Sequence, residues 1–508
     1  MTSTLQHTYP LSHYTDVLRR DGILLSIPDG AGDLEISFAT DDSREACPHT
    51  LFVCKGAAFK RAYLVGAIEA GAVAYVSETD YDVDVPCLLV SDIRRALGLV
   101  ADTAYGHPSS KIKVCAFTGT KGKTTCVYYL RSILAEHARR TGAPAPAFMT
   151  GVEYDDGVER GESLLTTPEP FTLQRRIAHA VSADCEHLVM EASSQALKYH
   201  RTLGVEFTVG AFTNFGEDHI SPIEHPTLED YFSSKLMLFR HCRTAVVNRD
   251  MDVAGSVLDV ASACGNLLTY SLADNTADVH ATNVATGDRG LTATVHTPHA
   301  VFDIALPTPV TFNLSNALAA IACADALGIE PEAMAAGIAA ARVPGRMEML
   351  FTEDGGIVGV VDYAHNGLSL KTLLTDLRTT YPDRELAVVF GSTGGKGVDR
   401  RETMGEAAGQ FADRIVITED DPGPEDAAEI CDAIARAVAE QGHKNWQIVL
   451  DRAEAIRTAV RETTRPAVVI VTGKGDDAFM LRRGVREPYE PDTVQLERVL
   501  ADFEADRL

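Results

Sequence analysis

Short apolar runs rich in β-branched residues recur along the chain, each followed by polar or helical sequence. Before residue 110, "TLFVCKG" (50–56) and "CLLVSD" (87–92) read as strands, and "AYLVGAIEAGA" (62–72) between them reads as a helix. From Lys111 the runs become clearer: "IKVCAFT", "HLVMEA", "FTVGAFTN" and "TAVVN". Such unalternating runs mark parallel strands buried on both faces. A Thr- and Val-rich stretch (278–311) predicts antiparallel strands or an insert, and "NLSNALAAIACADAL" predicts a helix. "ARVPGRMEML" (341–350) carries a Pro-Gly break and reads as a linker. Strands then resume at "GIVGVVDYA", "ELAVVFGS", "RIVITED", "WQIVL" and "AVVIVTGKG", a second open α/β sheet of Rossmann-like type. The chain therefore reads as three α/β domains, 1–110, 111–342 and 343–508.

A length of 508 residues is too much for one core and agrees with several domains. The hydrophobic fraction of 45% suits a soluble globular protein. A net charge of −26 repels nucleic acid and anionic lipid, and no basic run offsets it. No apolar stretch is long enough to cross a bilayer. The N-terminus "MTSTLQHTYPLSHYTD" lacks the layout of a signal peptide, so a cytoplasmic location is expected. The ten cysteines are scattered and form no C-x-x-C pair, which argues against a zinc ribbon.

The candidate chemistry centres on "CAFTGTKGKTTCVYYL" (115–130). A strand, a turn through Gly119, Thr120, Lys121 and Gly122, and a helix opening with Lys123, Thr124 and Thr125 suit a phosphate-binding loop. Backbone N–H groups converge there, the lysine reaches phosphate oxygens, and a threonine hydroxyl can hold Mg²⁺. The usual G-x-x-x-x-G-K-S/T pattern would need glycine at 117, where the chain has Phe117. The ordinary alternative is a plain strand–turn–helix.

"TGTKGKTT" resembles the short ATP loop of the Mur ligases and their folylpolyglutamate synthetase relatives. "DDSREACPHTLFVCKG", "TTPEP", "MEASSQALKYHR", "FTNFGEDHISPIEHPTLEDYFSSKLMLF", "VPGRMEML", "VDYAHN", "MGEAAGQFADRIVITEDDPGPEDA" and "GKG" follow in that family's order, and the fit is to its E-type branch, the UDP-N-acetylmuramoyl-tripeptide synthetases. The resemblance implies a UDP-substrate domain, a central ATPase domain and a Rossmann-like C-terminal domain. It implies an ATP-dependent ligase of peptidoglycan precursor synthesis that makes an amide bond through an acyl phosphate. Its partners would be ATP, a UDP-N-acetylmuramoyl dipeptide and an amino acid, and a monomer is expected. A first Mg²⁺ would be held by Thr124 and Glu191, a second metal by His219, and Lys235, as a carbamate (N6-carboxylysine), would also ligate Mg²⁺. Glu191 otherwise reads as a helix N-terminal carboxylate, and Lys235 as a solvated helical lysine. Asn316, Arg346 and Asp362 would meet the nucleotide. Ser43, Thr166, Thr167, Ser193 and Arg201 would hold the UDP substrate. The family's histidine after the Ser-Ser pair is Gln195 here, and Tyr199 stands where many relatives have glutamine.

For the amino acid, the resemblance implies Arg401 at the α-carboxylate and a pocket at Asp420, Asp421, Pro422, Gly423, Gly473 and Asp477. Relatives that add meso-diaminopimelate carry D-N-P-R, whose arginine takes the distal carboxylate. This chain has "DDPG", and after Gly473 it continues "KGDD" rather than "KGHE". A pocket that has lost a cation and kept carboxylates favours a side chain ending in an ammonium, L-lysine or L-ornithine. A meso-diaminopimelate ligase, a folylpolyglutamate-synthetase-like ligase and a P-loop ATPase without ligase chemistry are the alternatives.

Overall fold

The computed structural model describes residues 5–28, 30–56, 59–217, 220–221, 224–395, 399–464 and 466–505. The chain forms two compact units. One comprises 1–283, 294–304 and 315–338, the other 284–293, 305–314 and 339–508.

The first unit holds two large sheets and a two-stranded one, Tyr9–Pro10 with Glu35–Ile36. The N-terminal large sheet runs Leu24–Ser26, Cys87–Val90, Ala72–Ser77, Thr50–Val53, Phe38–Thr40 in space. Its last four strands are parallel and the first is antiparallel. The helix expected over 62–72 is found as Arg61–Glu69. It stops early because Gly71 takes φ +113, where a Cβ would strike the Pro48 backbone, and Ala72 already begins a strand.

The large central sheet has a parallel body in the order Ala147–Met149, His187–Glu191, Lys113–Thr118, Phe207–Phe212, Cys242–Asn248, Asn266–Ser271. After Lys113–Thr118 the chain fills one side of that strand, then crosses to the other with Phe207–Phe212. The C-terminal end of Lys113–Thr118 is therefore the topological switch point, where open α/β sheets bind ligands. The Thr- and Val-rich stretch forms strands Val279–Gly287, Gly290–His296 and Val301–Leu306.

The larger sheet of the second unit runs Glu348–Phe351, Ile357–Asp362, Ala467–Thr472, Glu385–Phe390, Arg414–Ile417, Trp446–Ile448. All pairs are parallel except the first. The expected linker thus ends inside an edge strand, because Glu348–Phe351 doubles back along Ile357–Asp362. Along that second strand Val358 and Val360 pack with Leu370, Leu374 and Met404, while Ile357 and Val361 face Ile456 and Leu496. Period-two alternation with apolar residues at every position needs a helix layer on each face, which explains the unbroken apolar runs. The α/β architecture agrees with the sequence reading.

Candidate functional site

Phe117 is fully buried in the strand Lys113–Thr118, opposite Glu191 and Ala211 on the two neighbouring strands. Removing a ring from such a core costs about 3–5 kcal/mol, so position 117 belongs to the sheet and the loop starts two residues later. Gly119 lies at φ +152 and Gly122 at φ +78, and a Cβ at Gly122 would run into the Asn316 amide. Lys123 opens the helix Lys123–Thr141, and its ammonium donates to the carbonyls of Gly119 (3.0 Å) and Thr120 (3.3 Å). A lysine held over a glycine turn at the start of a helix is a candidate site for polyphosphate.

Glu191, at the end of His187–Glu191, is buried. Its Oε1 accepts from the Thr124 hydroxyl at 2.9 Å and from Gly151 N at 2.8 Å. One hydroxyl and one carboxylate oxygen thus share a point beside the loop, hard donors of the kind Mg²⁺ takes. Lys235, in the helix Leu228–Leu236, does not reach solvent as a helical lysine would. It is 1% exposed, donates to the Gly119 carbonyl at 2.8 Å, and lies 4.3 Å from the Tyr231 ring centroid. His219 lies outside the described residues.

The expected UDP-substrate residues of the central sheet gather around Glu191. The Thr167 hydroxyl donates to the Glu191 carbonyl (2.9 Å) and accepts from Ser193 N (3.0 Å). Thr166 lies beside Gly151, and Arg201 donates to the Thr167 carbonyl at 3.3 Å. Ser43 stands apart, half-buried in the turn after Phe38–Thr40. The sequence reading missed Glu169, which takes Arg201 on Oε1 (2.8 Å) and Lys55 on Oε2. Lys55 also reaches Asp41 at 3.3 Å, whose carboxyl burial pushes above its usual range. Tyr199, where glutamine was expected, stacks under Arg94 at 3.9 Å.

In the second unit, Asp362 accepts from Met347 N (3.0 Å) and Ala364 N (2.8 Å), and Arg346 lies over the Tyr363 ring. Arg401 is 9% exposed and holds Glu425 at 2.8 Å, while its Nε is buried without a partner among the described residues. Asp421 and Asp477 are not the unpaired carboxylates the sequence suggested. Both are held by Lys474, 1% exposed, at 3.0 and 2.9 Å. The lysine of "GKG" therefore sets a cation between these two carboxylates, while position 423 carries none. Asp420 is deeply buried and pushed up to about 6, with Arg452 and Lys474 opposing the shift. Gly473, at φ +112, has no room for a Cβ against Asp420. Gly423, at φ +61, donates its N–H to Leu481 at 2.9 Å, and Pro422 beside it is buried.

Residues 117–324 match the Mur ligase middle domain, and residues 345–475 match the Mur ligase glutamate ligase domain. The chain belongs to the Mur ligase family. It is 38% identical over 501 residues, 96% of this chain and 98% of the other, to the UDP-N-acetylmuramoyl-L-alanyl-D-glutamate–L-lysine ligase of Streptococcus pneumoniae. Among solved structures it shares its fold with a UDP-N-acetylmuramoyl-L-alanyl-D-glutamate–2,6-diaminopimelate ligase (TM-score 0.70, 24% identity, 98% of this chain and 100% of that one). It also shares it with MurF ligase from Thermotoga maritima in complex with ADP (TM-score 0.55, 18% identity, 92% and 97% covered). The two matched domains contain the two regions that sequence and structure single out, the glycine-and-lysine loop on one sheet and a charged pocket on another. No described helix is long and apolar enough to cross a membrane.

Proposed function

We propose that this Mur ligase joins L-lysine to UDP-N-acetylmuramoyl-L-alanyl-D-glutamate, driven by ATP, in peptidoglycan precursor synthesis. The observation that carries the reading is its 38% identity, over nearly the whole of both chains, to a ligase of that name. The three domains would be 1–110 for the UDP substrate, 111–342 for ATP and 343–508 for the amino acid, in a cytoplasmic monomer.

The reaction balances in two steps. A substrate carboxylate oxygen attacks the γ-phosphorus, the bond to the β-phosphate oxygen breaks, and ADP leaves. The amino nitrogen of lysine then attacks the acyl phosphate carbonyl, phosphate leaves, and the nitrogen loses a proton. Two anions meet in the first step, so Lys123 supplies positive charge where it develops. The turn Gly119, Thr120, Lys121, Gly122 and the helix start at Thr124 and Thr125 cradle the phosphates. Asn316, Arg346 and Asp362 are assigned to the nucleotide by family resemblance. Mg²⁺, when bound, would neutralise phosphate charge. Thr124 and Glu191 would hold a first ion, whose role their shared oxygen point fits, His219 would serve a second, and a Lys235 carbamate formed with CO₂ would be a further ligand. Ser43, Thr166, Thr167, Ser193 and Arg201 would bind the UDP-sugar peptide.

The α-carboxylate of lysine would satisfy the orphan Nε of Arg401. Around the side-chain ammonium, the two carboxylates of Asp421 and Asp477 against one Lys474 leave a net single negative charge. Gly423 brings no guanidinium for a distal carboxylate. The test is phosphate release with ATP and UDP-N-acetylmuramoyl-L-alanyl-D-glutamate across L-lysine, L-ornithine and meso-diaminopimelate. L-lysine should exceed meso-diaminopimelate by roughly 10²-fold or more. The reverse preference would overturn the pocket assignment. No amino-acid-dependent release at all would overturn the ligase reading.

A further inference from the structure

Resting on that reading, we infer that His225 is a positioning residue that ties the UDP-substrate turn at Ser193–Ser194 to the helix carrying Lys235. His225 is fully buried, and both of its ring nitrogens are engaged. Nδ1 lies 2.6 Å from Asp230 Oδ2, and Nε2 lies 2.9 Å from Ser194 Oγ. Burial pushes the ring below its ordinary pKa, toward the neutral form. With a carboxylate on Nδ1, the single ring proton sits there and donates to Asp230. Nε2 then accepts the Ser194 hydroxyl proton.

The arrangement is Asp–His–Ser in order, yet it is no nucleophile. Ser194 is 7% exposed and begins a short helix, Ser194–Lys198, with its hydroxyl turned into the protein. Each end of the relay leads to a different substrate. On one side Ser194 follows Ser193, whose N–H bonds to Thr167. On the other, Asp230 lies in the helix Leu228–Leu236, from which Tyr231 reaches the Thr120 hydroxyl (3.3 Å) and Lys235 reaches the Gly119 carbonyl (2.8 Å). Lys198 closes a second strap between the same two helices, donating to Asp230 at 2.7 Å. The turn facing the UDP substrate and the loop facing ATP are therefore held in register by the imidazole together with the Lys198 strap. A buried imidazole with two partners fixes both, because losing it strands the Ser194 hydroxyl without its acceptor and leaves Asp230 held across the helices by Lys198 alone.

Three variants separate the two ends. Ser194→Ala cuts the substrate side alone and should raise KM for the UDP-muramoyl dipeptide about tenfold with KM for ATP within about twofold. His225→Ala cuts both sides and should also lower kcat about tenfold, since Lys235 and Tyr231 lose their registration. His225→Asn keeps a donor near Asp230 and should restore kcat to within about threefold while leaving the dipeptide KM raised. If His225→Ala fails to fold, Ser194→Ala, which removes one hydroxyl, decides the matter. Calorimetric binding of the dipeptide to wild type and Ser194→Ala is the second readout. Wild-type binding with unchanged constants in the variants, and only a lower Tm, makes His225 a core histidine and overturns the inference alone. No wild-type binding overturns the substrate assignment and the inference with it.

Discussion

The proposed nucleotide loop of the first unit and the proposed amino-acid pocket of the second are built from different forces. Around the loop, contacts are backbone carbonyls, N–H groups and hydroxyls: Lys123 on two carbonyls, Thr124 on Glu191, Lys121 N on Asn214. The pocket is a network of charge, with Lys474 between Asp421 and Asp477 and Arg452 against Asp492. Lys123 donates to two neutral carbonyls, so replacing it leaves no charge stranded on those acceptors. A buried ionic network cannot lose a member without stranding a charge. The same kind of substitution should therefore read out as lost turnover in one region and lost stability in the other.

The largest effect expected is on the ionic side. Arg452 and Asp492 are both fully buried, joined at 2.7 Å, and Arg452 also donates to the carbonyls of Thr472 and Glu419. Asp492→Ala leaves that guanidinium charged and unpaired, which costs about 3–5 kcal/mol. Chemical denaturation should show the loss, and an unchanged midpoint would break the contrast at its strongest point. Lys123→Ala is the counterpart in the loop. It should lower kcat by on the order of 10²-fold or more with unfolding essentially unmoved. Near-wild-type turnover at saturating ATP would remove Lys123 from the phosphate site.

The two regions also differed in how much the sequence disclosed. The loop is contiguous, so strand, turn glycines, lysine and threonine stand in order within a dozen residues and declare their context. The pocket is assembled from 401, 420–423 and 473–477, three connections of one sheet, and residue order says nothing of which side chains pair. That is why Lys474 was read as part of a glycine motif, although it is the cation that Asp421 and Asp477 share. Glu169 and His225 escaped for a similar reason. Each was visible within a quoted motif, but its partners, Lys55 for one and Ser194 for the other, lie far off in the chain. The apolar runs were legible because a strand buried on both faces needs every position apolar, whatever its neighbours are.

Asp420 tests the ionic side through pH. Its carboxyl is raised by burial to about 6, so the folded chain binds that proton more tightly than the unfolded chain does. The group therefore favours folding below about pH 4, and that contribution is lost as pH rises through 6, about 2–3 kcal/mol in all. Asp420→Asn should remove this dependence and gain on the wild type between pH 4 and 7. Parallel stability curves for the two proteins across that window would show that Asp420 titrates normally.

The smallest effect compares two glycines with the same left-handed backbone, Gly122 at φ +78 in the loop and Gly423 at φ +61 in the pocket. Alanine at either site meets a backbone strain of about 1–2 kcal/mol, because a Cβ crowds the following carbonyl in that conformation. Beyond that strain the surroundings differ. At 423 a Cβ finds nothing nearer than Gly394 O at 3.7 Å, an ordinary contact, so Gly423→Ala should lose only the strain and keep its amino-acid preference. At 122 the Cβ would drive into the Asn316 amide, so Gly122→Ala should displace Asn316 and raise KM for ATP as well. Equal kinetic damage at both sites would mean that backbone strain, not the neighbour, decides the outcome. Gly423→Arg carries the comparison one step further. It accepts the same strain but brings a guanidinium to the pocket, and it should narrow the gap between L-lysine and meso-diaminopimelate without disturbing the KM for ATP. A gap as wide as the wild type's would show that the new side chain cannot reach the distal carboxylate from a left-handed backbone between Pro422 and Pro424.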